Sequence, residues 1–112
     1  MINKKFTYEE LDQIWEKEFP NSEIRFSIYD WNKDTDEITP TVDFLDKTPL
    51  VEGQYRLTFN SWFEGGLFIT KKGKTLTWKK LIRTLDKYGD GNHVYLEEVS
   101  VNGNHVEVFL GS

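Results

Sequence analysis

Apolar positions recur along the chain with two different periods, and the switches between them divide it into elements. Leu11, Ile14, Trp15 and Phe19 fall at helical spacing, and Thr7 followed three residues later by Glu10 makes a capping box just ahead of them. Pro20 stops this helix. Residues 23–31 then alternate, with Ile24, Phe26 and Ile28 against Arg25, Ser27 and Tyr29, which predicts a strand with one buried face. After a polar loop at 32–37, a shorter alternation over 39–46 puts Val42 and Phe44 on one side; Pro40 and Pro49 bracket it and predict an edge position. The clearest strand spans 54–63, where Tyr55, Leu57, Phe59 and Phe63 oppose Gln54, Arg56, Thr58 and Asn60. Glu64-Gly65-Gly66 turns it back into a strand over 67–71, and Lys72-Gly73-Lys74 reads as the next turn.

The strongest periodic signal follows. Thr77 is placed to cap a second helix whose apolar stripe is Trp78, Leu81, Ile82, Leu85 and Tyr88, with Gly89 as its C-cap. Strands over 94–101 and 104–110, joined by Asn102-Gly103, make a final hairpin. The predicted order is α-β-β-β-β-α-β-β. Strands and helices do not alternate regularly and no internal repeat occurs, so the expected class is α+β: one domain over residues 1–112, with an antiparallel or mixed sheet of five to six strands and two helices.

Composition narrows the chemistry. With 112 residues the chain is long enough for one core without metal or disulfide staples, and with no cysteine it excludes disulfides, thiolate metal sites and thiol nucleophiles. Aromatic residues make up 15% and alanine is absent, so rings and β-branched side chains must fill the interior. No run approaches a transmembrane length and the N-terminus leads into an acidic amphipathic segment instead of an apolar one, which predicts a soluble, cytoplasmic protein with no membrane partner.

Catalytic motifs are missing. There is no nucleophile elbow, P-loop or dinucleotide fingerprint, and Gly89-Asp90-Gly91 alone is only a turn. The loop at 30–36 spaces Asp30, Asn32, Asp34 and Asp36 as calcium loops do, but Thr35 replaces the sharp-turn glycine and Thr41 the bidentate glutamate. His93 and His105 have no local ligand at metal-site spacing. Counting outward from Asn102-Gly103 sets Glu98 opposite Glu107, a carboxylate pair that suits acid–base work or a cation and equally suits solvent. The reading is a protein with no enzymatic activity, no cofactor and no metal site.

Charge is distributed more tellingly than the net of −5 suggests. Residues 1–64 hold 14 acids against 7 bases, while residues 65–112 hold 5 acids against 7 bases, all seven of these bases lying between Lys71 and Lys87. Lys79, Lys80, Arg83 and Lys87 sit opposite the apolar stripe of the second helix, and Lys71, Lys72 and Lys74 just precede it. This basic patch is a candidate nucleic-acid contact. The acidic half is the other candidate surface, with Glu9, Glu10, Asp12 and Glu16 on the first helix, and Asp34 and Asp36 in the loop. Trp31 and Trp62 fall on the strand faces opposite the main apolar rows, where a ring is either covered by a helix or left to anchor a partner.

The segment Leu76-Thr77-Trp78-Lys79-Lys80-Leu81-Ile82-Arg83-Thr84-Leu85-Asp86-Lys87, followed by Val94-Tyr95-Leu96, resembles a helix-then-strand pattern frequent in small proteins of phages and mobile elements. In general character the acidic chain is similar to phage-encoded inhibitors of host defence, including anti-CRISPR proteins. That resemblance implies a protein-binding inhibitor or accessory factor, and the acidic half of the chain would let it occupy a basic groove of a host protein in competition with nucleic acid. It carries over no site residue.

Overall fold

In the computed structural model, which describes residues 4–61 and 68–112, Thr7 caps helix α1 (Tyr8–Glu18) as its spacing predicts. Its Oγ1 accepts the Glu10 N–H at 3.2 Å while its own N–H donates to Glu10 Oε1 at 2.9 Å, so both partners of the box satisfy an otherwise orphaned donor. The strands are β1 (Arg25–Phe26), β2 (Tyr29–Asn32), β3 (Glu37–Pro40), β4 (Val51–Asn60) and β5 (Phe68–Leu76); helix α2 (Trp78–Tyr88) precedes β6 (Tyr95–Asn102) and β7 (His105–Gly111). The fold is α+β, with the helices where the periodicity puts them.

Five strands form a mixed sheet in the order β1-β6-β7-β4-β5, and β2 with β3 forms a separate antiparallel hairpin. Within the large sheet, β1 runs parallel to β6 and β4 parallel to β7, whereas β4–β5 and β6–β7 are antiparallel. The strand expected over 23–31 is divided because its backbone changes partner. Ser27 N–H still bonds Leu96 O of the large sheet, but Ile28 O already accepts Thr41 N–H beside the hairpin. Ile24, Phe26 and Ile28 stay buried throughout.

Three other expectations are corrected. The alternation over 39–46 does not continue as a strand: Asp43 Oδ1 accepts Leu45 N–H and Asp46 Oδ1 accepts Thr48 N–H. These Asx turns bend the chain while Phe44 remains in the core. Lys72-Gly73-Lys74 is no turn but the middle of β5. Gly73 faces Tyr55 across the ladder, and a Cβ there would lie 2.6 Å from the Tyr55 hydroxyl, so the glycine admits a ring. The last hairpin turns at Gly103-Asn104, with Asn102 paired to His105. Gly103 takes φ 61° at the first loop position, as a Gly-X two-residue turn does. The expected turn at Glu64-Gly65-Gly66 lies outside the described residues, as do Trp62 and Phe63.

Both helices lie on one face of the sheet. Trp15 of α1 packs tilted against Phe26 and edge-on against Phe44, with ring centroids 5.2 and 4.8 Å away, and its indole N–H donates to Ile24 O at 2.8 Å. From the sheet, Leu57, Phe59, Val106, Val108, Leu96 and Leu110 point into the same core, joined by Leu81, Ile82 and Leu85 of α2. Lys71, whose register with Leu57 puts it on this side, rests its ammonium 3.8 Å from the centroid of Tyr88 at the end of α2. The opposite face of the sheet has no helix among the described residues.

Candidate functional site

The acidic residues of the N-terminal half divide into those the fold uses and those it presents. Glu10 is held by the capping box; the Thr7 N–H that it accepts keeps its carboxyl below the usual glutamate range. Glu16 reaches Arg25 at 3.4 Å, a half-exposed pair of little energetic weight. Glu9 stands exposed in the first turn of α1. Asp36 and Trp31 line one cleft, and Asp12 a narrower one beside it.

That cleft is built where the start of α1 is fastened to the β2–β3 hairpin. Phe6 and Ile38 exchange two backbone hydrogen bonds of 2.9 and 2.8 Å, which brings Tyr8 beside Tyr29 and Trp31. A cavity of about 410 Å³ is lined by Tyr8, Tyr29, Trp31, Asp36 and Ile38. A narrower cleft between Tyr8, Leu11, Asp12, Phe26 and Tyr29 adjoins it through the shared tyrosines. Trp31 is 61% exposed, yet its indole N–H donates to Asp36 Oδ1 at 2.9 Å. Asp36 adopts φ 60°, a left-handed conformation that aspartate tolerates better than most residues. Asn32 Oδ1 accepts the N–H groups of Asp34 and Thr35 and so fixes the turn. Burial, then the charge of Asp12, raises the Tyr8 phenol above its ordinary pKa, so it stays a neutral hydrogen-bonding group.

Sequence reasoning placed Trp31 on the outer face but gave no signal for Tyr8. In a linear reading Tyr8 is only the first helical residue; its role depends on the distant hairpin. Trp62 lies outside the described residues.

No family model, curated protein or solved structure matches this chain. The arrangement itself therefore has to carry the functional argument.

The basic residues divide between two surfaces. Lys79, Arg83 and Lys87 form an exposed stripe along α2, and Lys87 also approaches the Tyr88 ring at 5.3 Å. Lys80 turns its ammonium to Lys74 O at 2.6 Å and ties the helix to β5. Lys71 is committed to Tyr88. Lys72 and Lys74 instead share the open sheet face with Arg56 and Gln54, to which the register pairs them.

The carboxylate pair is not formed. Because the hairpin turns one residue later than expected, Glu98 faces Phe109 and Glu107 faces Ser100; the bulge between Leu96 and Glu98 lies beyond both pairs. Glu107 lies 3.6 Å from His105 Nδ1, and His105 Nε2 meets Thr58 Oγ1 at 2.9 Å. Of the 30–36 segment, Asp30, Trp31 and Asn32 belong to β2 and only residues 33–36 form the β2–β3 turn, and no group of three or more potential metal ligands occurs among the described residues. Nor is any described helix long and apolar enough to cross a membrane.

Proposed function

We propose that this chain is a protein-binding module without enzymatic activity, acting as an inhibitor or accessory factor of the phage type. It docks through the cleft around Tyr8, Tyr29 and Trp31. The observation that supports this reading is a cleft walled by three aromatic rings and the Asp36 carboxylate, with Asp12 in the narrower cleft that shares Tyr8 and Tyr29 with it. Such a cleft suits an arginine or lysine from a partner: the cation meets ring faces while a carboxylate balances its charge. Trp31 supplies the large central contact that dominates protein interfaces, and its hydrogen bond to Asp36 holds it ready. The surrounding acids steer the module toward a basic groove, where it excludes nucleic acid.

The test is a pull-down from nuclease-treated bacterial lysate with the wild type beside Tyr8→Ala/Trp31→Ala and Asp12→Asn/Asp36→Asn. A stoichiometric basic protein should be retained by the wild type and lost by the aromatic variant. The carboxamide variant should hold it with weaker affinity and a flatter salt dependence, read by titration calorimetry. Equal retention by all three would reject this cleft as the docking site.

A further inference from the structure

The face of the large sheet turned away from the helices carries its own pattern, independent of the cleft just described. Register sets its side chains in rows across β6, β7, β4 and β5. Ser100, Glu107, Thr58 and Thr70 form one row, and Asn102, His105, Arg56 and Lys72 the next, with Gln54 and Lys74 beyond. At the other end of β4, Phe109 and Phe68 flank Asn60. Their rings are 45% and 57% exposed and lean together over the Asn60 amide, with centroids 6.4 Å apart and planes inclined by 52°. That amide is anchored at both ends, donating to Leu110 O and accepting Leu110 N–H, both at 2.8 Å. The two rings therefore stand on a fixed base.

Two exposed phenylalanines on a polar sheet face are costly to leave in water, and they are not isolated. From the ring row to the Arg56–Lys72 row is four residues along β4, about 13 Å at the strand rise. There a concavity of about 450 Å³ is lined by Gln54, Arg56, Lys72, Lys74 and Asn104 together with Tyr55 and Gly73. Arg56, Lys72 and Lys74 form no ion pair with any described residue. Three unneutralised cations thus gather in a chain whose net charge is −5. The site has ring faces at one end, where Glu98 lies opposite Phe109, the hydroxyls of Ser100, Thr58 and Thr70 with the Glu107 carboxylate in the middle, and positive charge at the other. A bound strand therefore has to carry its phosphates on the β4–β5 side, away from the two acids of β6 and β7.

From this juxtaposition we propose that the open sheet face binds single-stranded nucleic acid. Unpaired bases stack on Phe68 and Phe109, and the phosphates of the adjoining nucleotides lie along Arg56, Lys72 and Lys74. Stacking on ring faces requires bases freed from a duplex, while a flat basic groove tracks a backbone without reading sequence. An acidic peptide would satisfy the cations but has no use for the rings. The lysine stripe on α2, on the helix side of the sheet, is not part of this site.

The experiment is fluorescence anisotropy with a labelled single-stranded oligonucleotide of mixed sequence, with the same sequence as a duplex and a polyglutamate peptide as competitors. The variants are Phe68→Ala/Phe109→Ala, Arg56→Gln/Lys72→Gln/Lys74→Gln and Lys79→Gln/Arg83→Gln/Lys87→Gln, each checked for an unchanged melting temperature. We expect the phenylalanine variant to lose about tenfold or more in affinity with its salt slope retained. The Arg56 triple variant should lose affinity and about 2 from the slope of log K against log salt. The α2 variant should bind nearly as the wild type does. The proposal is overturned if the wild type fails to bind at low salt, if duplex or polyglutamate competes as well as the single strand, or if only the α2 variant is impaired.

Discussion

Glu10 shows how much one exposed side chain can do for an element. Its carboxylate accepts the Thr7 N–H, and this hydrogen bond favours the charged form in the folded state, so the folded pKa lies below its ordinary value. The sign of the linkage follows. A depressed folded pKa contributes stability that is fully present above the ordinary glutamate range and is lost as pH falls through the lower folded value. Glu10→Gln should therefore flatten the acid limb of the stability curve below that range and leave its shape at neutral pH unchanged, as urea melts across pH will show. The capping box was legible because both its groups are close in sequence. Trp31 was half legible: alternation placed it on the outer face, but its bond to Asp36 depends on a left-handed backbone that no composition rule reveals. Phe109 was not singled out by the sequence, although it alternates with His105 and Glu107 on the polar face of β7.

At the level of elements, helices were read more faithfully than strands. A helix is stabilised by contacts within a few residues, so the stripe ending at Tyr88 fixed α2 almost to its ends. A strand is completed by partners far away, and glycine there has two meanings. Gly73 keeps φ outside the left-handed region and is needed because Tyr55 occupies the space of its missing side chain. Gly103 is the reverse case: open space surrounds it, and only its φ of 61° demands glycine. Mistaking the first for a turn cut β5 short, and placing the last turn one residue early created a carboxylate pair that the register does not contain. Gly103→Ala should accordingly destabilise the hairpin by about 1–2 kcal/mol through backbone strain alone. Chemical denaturation would measure this, with the oligonucleotide and partner sites intact at temperatures where the variant is folded.

Across the whole molecule, charge is sorted by surface. The Tyr8–Trp31 cleft, with its carboxylates, lies on the helix side at the hairpin, and the Arg56–Lys74 cluster lies on the open face of the sheet. A net charge of −5 describes neither surface. The edge of the sheet is guarded as well: β5 is the outermost strand and carries Lys71, Lys72 and Lys74, which discourage another chain from adding to it. The sequence could suggest two helices and a sheet, but the strand order rests on distant pairings, Arg25 with Tyr95 at one edge and Arg56 with His105 where β4 meets β7.

That parallel seam between β4 and β7 also sets a timetable. Each of the two hairpins beside it can form from neighbouring chain on a timescale of about 1–10 μs, but closing the seam requires the intervening chain, β5, α2 and β6, to fold back so that β7 reaches β4. Asn60, which extends the seam by gripping both backbone groups of Leu110, is its fastener. Asn60→Ala should cost about 1–3 kcal/mol, and stopped-flow refolding should show that loss chiefly as slower folding, while an effect confined to the unfolding limb would mean the seam closes after the barrier. Until it closes, the two halves of the core face have no common surface for the helices to cover, so this one seam turns two ribbons into a single protein.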